Sequence, residues 1–161
     1  MKILIVGAYG MLGSDLRKVL KNYELIIPSS KDLDITNQNQ VSQFFNENSP
    51  NIVINCAAYT AVDNCENNYN EAYEVNAIGP KNLAISCNKL NIPLIHISTD
   101  YVFDGNKKSP LIEEDKIGPQ TVYGKTKSEG EKFIQEFTKK YFIIRTAWLF
   151  GIHGKNLFKP C

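Results

Sequence analysis

With 161 residues, of which 43% are hydrophobic and 22% charged, the chain can bury a core of its own, and one globular domain spanning 1–161 is the default. A formal net charge of +1 gives no electrostatic pull toward polyanions, which argues against nucleic acid as a partner. No segment approaches the roughly 20 apolar residues of a membrane span, which argues against a membrane partner as well.

The first apolar run, "KILIV" at 2–6, has strand length and stops at glycines, too soon for the core of a signal peptide. A helix is expected over 11–21, then a short strand "ELII" at 24–27 and a second helix over 37–48 with Thr36 as its N-cap. "NIVIN" at 51–55 reads as the next strand, and Tyr73, Ala77, Ala84 and Ile85 set a helical period over 69–90. "PLIHIS" at 93–98 is another strand, followed by a polar loop over 104–120 that carries too many breakers to be regular. A helix over 121–139 precedes the last strand, "YFIIR" at 141–145, and "GIHGKNLFKPC" then follows without a further element, as if a longer protein continued there.

Strands alternating with helices predict an α/β protein with a doubly wound parallel sheet, and nearly continuous apolar strands predict burial on both sheet faces. Lys125, Lys127 and Lys132 alternate with Glu129 and Glu131 and read as a solvated helix face. Cys56, Cys65, Cys87 and Cys161 form no C-x-x-C pair and have no partnering histidine, which fits reduced thiols in a cytoplasmic protein and neither a metal knuckle nor a disulfide framework.

Gly7, Gly10 and Gly13 lie between the first strand and the first helix, where a turn without Cβ atoms lets backbone approach a phosphate held at the helix N-terminus. The spacing is G-x-x-G-x-x-G, so position after a strand and before a helix carries the reading toward a dinucleotide. At the end of the second strand, where an acid would hold the adenosine ribose, the sequence has "PSSK". Ser29, Ser30 and Lys31 would tolerate a 2′-phosphate, which favours NADPH slightly over NADH, and a plain polar turn explains them equally well.

Tyr123 and Lys127 stand at i and i+4 of a helix and project from one face. A phenol titrates near pH 10 in isolation and exchanges protons at neutral pH only with help, which an ammonium in the position of Lys127 is placed to give. Ser98, Thr99 and Asp100 follow a buried strand at its carboxyl end, where ligands of open α/β sheets collect, so a hydroxyl there could bond the same carbonyl.

These segments together, "GAYGMLG", "LDIT", "NCAAYTAVDNCE", "VNAIGPKNLA", "STDYVFDG", "VYGKTKSEGE" and "IIRTAWLFG", resemble the extended short-chain dehydrogenases with their NAD(P)-binding Rossmann fold, and within them the dTDP-4-dehydrorhamnose reductase branch. The resemblance implies NADPH or NADH as cofactor, with Gly10, Met11 and Leu12 along the pyrophosphate, Ser29 near the ribose, Asp34 and Ile35 framing the adenine, and Ala58, Tyr59 and Thr60 beside the central portion. It implies Tyr123 as proton donor, Lys127 on the nicotinamide ribose, and Thr99 beside the carbonyl of a nucleotide sugar, with Asp100 and Trp148 as sugar contacts. Asn76 matches an active-site asparagine of the superfamily, and buried helix polarity explains it as well.

The implied reaction is reduction of the C4 carbonyl of dTDP-4-dehydro-L-rhamnose, and a homodimer is compatible with it. Two alternatives stay open: a non-catalytic regulatory subunit like the β subunit of methionine adenosyltransferase, and another nucleotide-sugar epimerase or dehydratase. Family members run to roughly twice a domain of about 100–150 residues. Their C-terminal substrate half is expected to be missing here, so cofactor chemistry is expected of this chain and turnover is not.

Overall fold

A computed structural model describes residues 1–153, in which five strands form one parallel sheet in the order β2-β1-β3-β4-β5. The strands are β1 (Lys2–Val6), β2 (Glu24–Ile26), β3 (Ile52–Asn55), β4 (Leu94–Thr99) and β5 (Tyr141–Thr146), each within about a residue or two of its apolar run. From β1 the chain builds outward first to β2 and then, on the other side, to β3, β4 and β5. The order therefore reverses between β1 and β3, which opens a crevice above their carboxyl ends. Register places Val6 beside Asn55 and Thr99 beside Thr146, so these four residues mark the rim of that crevice.

The helices are α1 (Met11–Val19), α2 (Gln38–Asn48), α3 (Val62–Asn67), α4 (Tyr69–Tyr73), α5 (Gly79–Leu90) and α6 (Val122–Phe137). One face of the sheet packs Leu4, Val53 and Leu94 against Val41 and Phe45 of α2, Leu83 of α5 and Ile134 of α6. The other face packs Ile3, Ile5 and Ile54 against Leu16 of α1 and Leu20, its C-cap. Burial on both faces therefore holds for β1 and β3 but fails at β5, where alternate residues Phe142 and Ile144 are 64% and 49% exposed. The reason is coverage: the apolar cluster on that face, with Leu16 of α1, reaches β4 at Ile95 and includes no residue of β5.

Three further expectations are corrected. The helix expected over 69–90 is interrupted by a π-helical turn, Glu74–Ile78. Pro80 has no N–H to give the carbonyl of Asn76 four residues back, so the helix widens there. Thr36 is not the cap of α2: Asn37 is, its side chain accepting from Gln40 N at 3.1 Å, while Thr36 Oγ1 donates to Asp34 at 2.8 Å. The supposed solvated face of α6 is split. Lys125 and Lys132 are exposed, but Lys127 and Glu131 are each only 1% exposed, because Tyr123, Lys127 and Glu131 share one stripe at four-residue spacing and turn inward.

That stripe reaches the sheet because α6 lies very close to its neighbours. A Cβ at Gly124 would sit 2.2 Å from the carbonyl oxygen of Tyr101, and one at Gly130 would sit 2.2 Å from that of Asn76. Glu131 is then held by Ser98 Oγ of β4 at 2.5 Å and by Arg145 of β5, whose Nε and Nη2 donate at 3.0 and 2.7 Å. Helix and two strands are thereby joined by one buried carboxylate.

Glu131→Gln leaves Arg145 facing an amide that cannot neutralise it, and is expected to cost about 3–5 kcal/mol in urea unfolding, as for other broken buried pairs. Lys132→Met, which removes the exposed partner of Glu129, is expected to stay within about 0.5 kcal/mol. A second comparison separates the glycines of the first turn. Gly13→Ala places a Cβ 2.3 Å from Gly7 O and should destabilise by about 1–3 kcal/mol, whereas Gly10→Ala meets only that same oxygen at 3.3 Å and should fold normally.

Candidate functional site

The crevice is floored by the turn between β1 and α1. Gly7 has φ +75, a left-handed conformation, and a Cβ there would lie 2.6 Å from Ala57 N in the segment after β3. Gly13 packs beneath the same turn, against Gly7 and Ala8. Only Gly10 faces open space. It begins α1 without a side-chain cap and with no acid in the first turn, so the positive end of the helix dipole is directed into the crevice. The three glycines thus have unequal surroundings: two permit close packing and the third leaves open space at the start of α1.

Two clefts meet at Gly10. One is lined by Gly7, Ser29, Asp34 and Ile35, with Leu33 and Val75 completing its apolar wall. Asp34 is fixed at its rim, its N–H donating to Gln40 Oε1 at 2.8 Å and its carboxylate accepting from Thr36 N at 2.9 Å. The reading of "PSSK" as free of carboxylates is corrected here. The turn closes on itself, with Leu33 N bonded to Ser29 O, and brings Asp32 onto Ser29: its carboxylate accepts from Ser29 N at 2.9 Å and Ser29 Oγ at 2.6 Å. The Ser29 hydroxyl bond, then its backbone bond, hold the Asp32 carboxyl below the usual range.

The other cleft gathers Met11, Leu12, Ala58, Thr60, Thr99, Asp100, Tyr123, Lys127 and Trp148. Tyr59 lies behind it with its backbone tied to buried Asn76, which accepts from Tyr59 N at 2.8 Å and donates to Tyr59 O at 3.1 Å. A third bond, to Thr126 Oγ1 at 3.2 Å, gives Asn76 a full set of structural partners. Trp148 is 77% exposed and sits at φ 51, a left-handed conformation costly for a bulky side chain.

Thr99 ends β4 and caps the single 3-10 turn Asp100–Val102, accepting from Tyr101 N at 3.2 Å and donating to Asp100 at 3.1 Å. Tyr123 enters from α6, and Tyr101 meets its ring edge-on at 5.5 Å. Burial raises the Tyr123 phenol above its ordinary value; a hydrogen bond with Thr99 opposes the shift and Asp100 adds to it. The phenol therefore keeps its proton at neutral pH.

Lys127 shares this cleft with Tyr123 and is bonded to β4. Its ammonium nitrogen lies 2.7 Å from Ile97 O and 3.2 Å from Nε2 of fully buried His96, whose Nδ1 is 3.1 Å from Asn55 Nδ2. Burial pushes Lys127 down to about 8, with Glu131 and then Cys56 acting in the opposite sense. Burial, then Lys127, also hold His96 well below its ordinary value, and burial lifts the Cys56 thiol to about 11 despite Lys127 nearby.

His96, Asn55, Glu131 and Arg145 are the residues of this site that sequence reasoning did not single out. The available signal was a histidine inside an otherwise apolar strand and an asparagine at the end of another, both of which needed buried partners. Among the described residues no group of His, Cys, Asp or Glu could hold a metal ion, and no helix is long and apolar enough to cross a membrane.

The family profile described as RmlD substrate binding domain matches residues 1–160. The chain is 43% identical to the dTDP-4-dehydrorhamnose reductase of Aggregatibacter actinomycetemcomitans, an alignment covering 98% of this chain and 55% of that protein. A crystal structure of a dTDP-4-dehydrorhamnose reductase from Clostridium acetobutylicum superposes with a TM-score of 0.96 at 55% identity, covering 99% of this chain and 57% of that one. The enzyme of that name from Bacillus anthracis, solved in complex with NADP, superposes with a TM-score of 0.95 at 42% identity, covering 98% and 57%. The chain spans about half the length of the curated relatives it matches, and it belongs to the RmlD substrate binding domain family.

Proposed function

We propose that this chain carries the cofactor-binding and proton-transfer half of an NAD(P)H-dependent dTDP-4-dehydrorhamnose reductase. The observation that carries the reading is the meeting at Gly10 of two clefts, one apolar and ringed by Ser29, Asp34 and Ile35, the other holding Thr99, Tyr123 and Lys127. The residues fit a dinucleotide. A Cβ at Gly10 would project into the space a pyrophosphate needs, the uncapped start of α1 supplies its dipole, and each cleft has room for one end of the molecule.

When bound, the reduced nicotinamide supplies the hydride for C4 of dTDP-4-dehydro-L-rhamnose. Tyr123, protonated because burial raises its phenol, gives its proton to the C4 oxygen, and the Thr99 hydroxyl stands beside that phenol to hold the same oxygen. Lys127 lies one turn away to serve the ribose and the phenolate left behind. Asp100 and the exposed face of Trp148 are placed for the sugar. Asp32, bonded to Ser29, puts a carboxylate where a 2′-phosphate would approach, so NADH is expected to compete with NADPH more closely than the residues "PSSK" alone imply.

Gly10→Val should abolish NADPH binding to the 161-residue chain in a fluorescence titration while its unfolding curve stays close to the parent's. Unchanged affinity would remove the glycine turn from the cofactor site. In a chain extended to the length of the relatives, Tyr123→Phe should lower turnover of the sugar nucleotide by about 10²–10⁴-fold with NADPH affinity little changed. Near-normal turnover in that variant would take the proton donor's role away from Tyr123.

A further inference from the structure

The hydrogen bonds behind Lys127 obey a donor count that allows only one arrangement of protons. Ala57 N–H can only donate, and it donates to Asn55 Oδ1 at 3.0 Å, so the Asn55 amide cannot be turned round without orphaning that N–H. Asn55 Nδ2 is then a donor as well, and it points at His96 Nδ1 at 3.1 Å. His96 Nδ1 must accept, which leaves the ring hydrogen of a neutral imidazole on Nε2. Nε2 faces Lys127 Nζ at 3.2 Å, and Nζ itself donates to Ile97 O at 2.7 Å. An ammonium would set two donors against each other across a fully buried contact. An amine satisfies every atom, accepting from Nε2–H with its lone pair and donating to Ile97 O.

We propose that Asn55 and His96 form a tautomer lock on Lys127, in which the fixed amide of Asn55 selects the Nε2–H form of His96 and that N–H in turn selects the neutral amine of Lys127 in the resting site. His96 is on this view a positioning residue for the proposed reduction, acting through Lys127. The catalytic meaning rests on the reductase reading, whereas the proton arrangement stands on this chain alone.

From α6, Tyr123 and Glu131 face this region; Glu131 favours the charged form of Lys127 and is outweighed by burial, and its own hydrogen bonds go to Arg145 of β5 and Ser98 of β4. From the segment after β3 comes Cys56, kept as a thiol by burial, and from the turn after β4 comes Asp100, bonded to Thr99. Lys127 Nζ is bonded to Ile97 O and His96 Nε2, and burial lowers its value to about 8, so the amine form predominates above that pH.

The chain has two histidines, so ring-nitrogen spectra can be assigned with a single variant, His153→Gln. Long-range ¹H–¹⁵N correlation on the ¹⁵N-labelled chain at pH 9 should show His96 with a protonated Nε2 and an unprotonated Nδ1. Asn55→Asp keeps an acceptor for Ala57 N–H but offers Nδ1 a second carboxylate oxygen. It should reverse the tautomer to Nδ1–H and shift the protonation midpoint of Lys127, followed through its Nζ resonance, upward. An Nδ1–H tautomer or an imidazolium in the parent at pH 9, or an unreversed tautomer in a folded Asn55→Asp, would overturn the lock. Should that variant not fold, the parent's tautomer decides alone. A parallel NADPH titration of the same samples reports on the reductase reading independently of the tautomer.

Discussion

Everything at the crevice end of this fold depends on how near α6 comes to the backbone beside it. Gly124 lies over the carbonyl of Tyr101 and Gly130 over that of Asn76, at separations a Cβ could not survive. The second contact exists because Pro80 leaves the Asn76 carbonyl without its helical donor and the chain opens into a π turn. With the helix this close, the stripe Tyr123, Lys127, Glu131 is pressed against the ends of β3 and β4. Two ionisable groups are buried as a consequence, and the structure treats them differently.

Glu131 is neutralised within the fold, by a two-point bond to Arg145 and a hydroxyl from Ser98. Lys127 is given, among the described residues, a carbonyl and an imidazole, and it lines the cleft that also receives Thr99 and Tyr123. A group whose charged form is costly at rest responds strongly to whatever enters beside it, since the interaction is little screened by water. The same burial lifts the Tyr123 phenol, which therefore keeps its proton at neutral pH. Structural packing and proton chemistry therefore share a single cause.

Much of this was legible in the sequence. Apolar runs located every strand to within a residue or two, and glycines between a strand and a helix located the crevice floor, because strand burial and tight turns write themselves in composition. What was illegible depended on which way a residue faces. Alternating Lys and Glu on α6 look the same whether the stripe meets water or meets Arg145 and His96, so the buried pair was read as a solvated face. Asp32 lies three positions from Ser29 in sequence, and only the closing of the turn shows that its carboxylate sits on the serine. His96 and Asn55 were hidden in apolar runs, where a period of two marks inward positions without saying what polar partner waits there. Burial on both sheet faces failed at β5 for a similar reason: a strand's composition does not record how far the covering helix extends.

The measurement that bears most directly on the reductase reading is a crystal structure of this chain grown with NADPH. The expected result places the pyrophosphate over Gly10 at the start of α1, the adenine between Asp34 and Ile35, and the nicotinamide ribose within hydrogen-bond reach of Tyr123 and Lys127. A nucleotide lodged elsewhere on the surface, or one whose nicotinamide lies away from Thr99 and Tyr123, would contradict it.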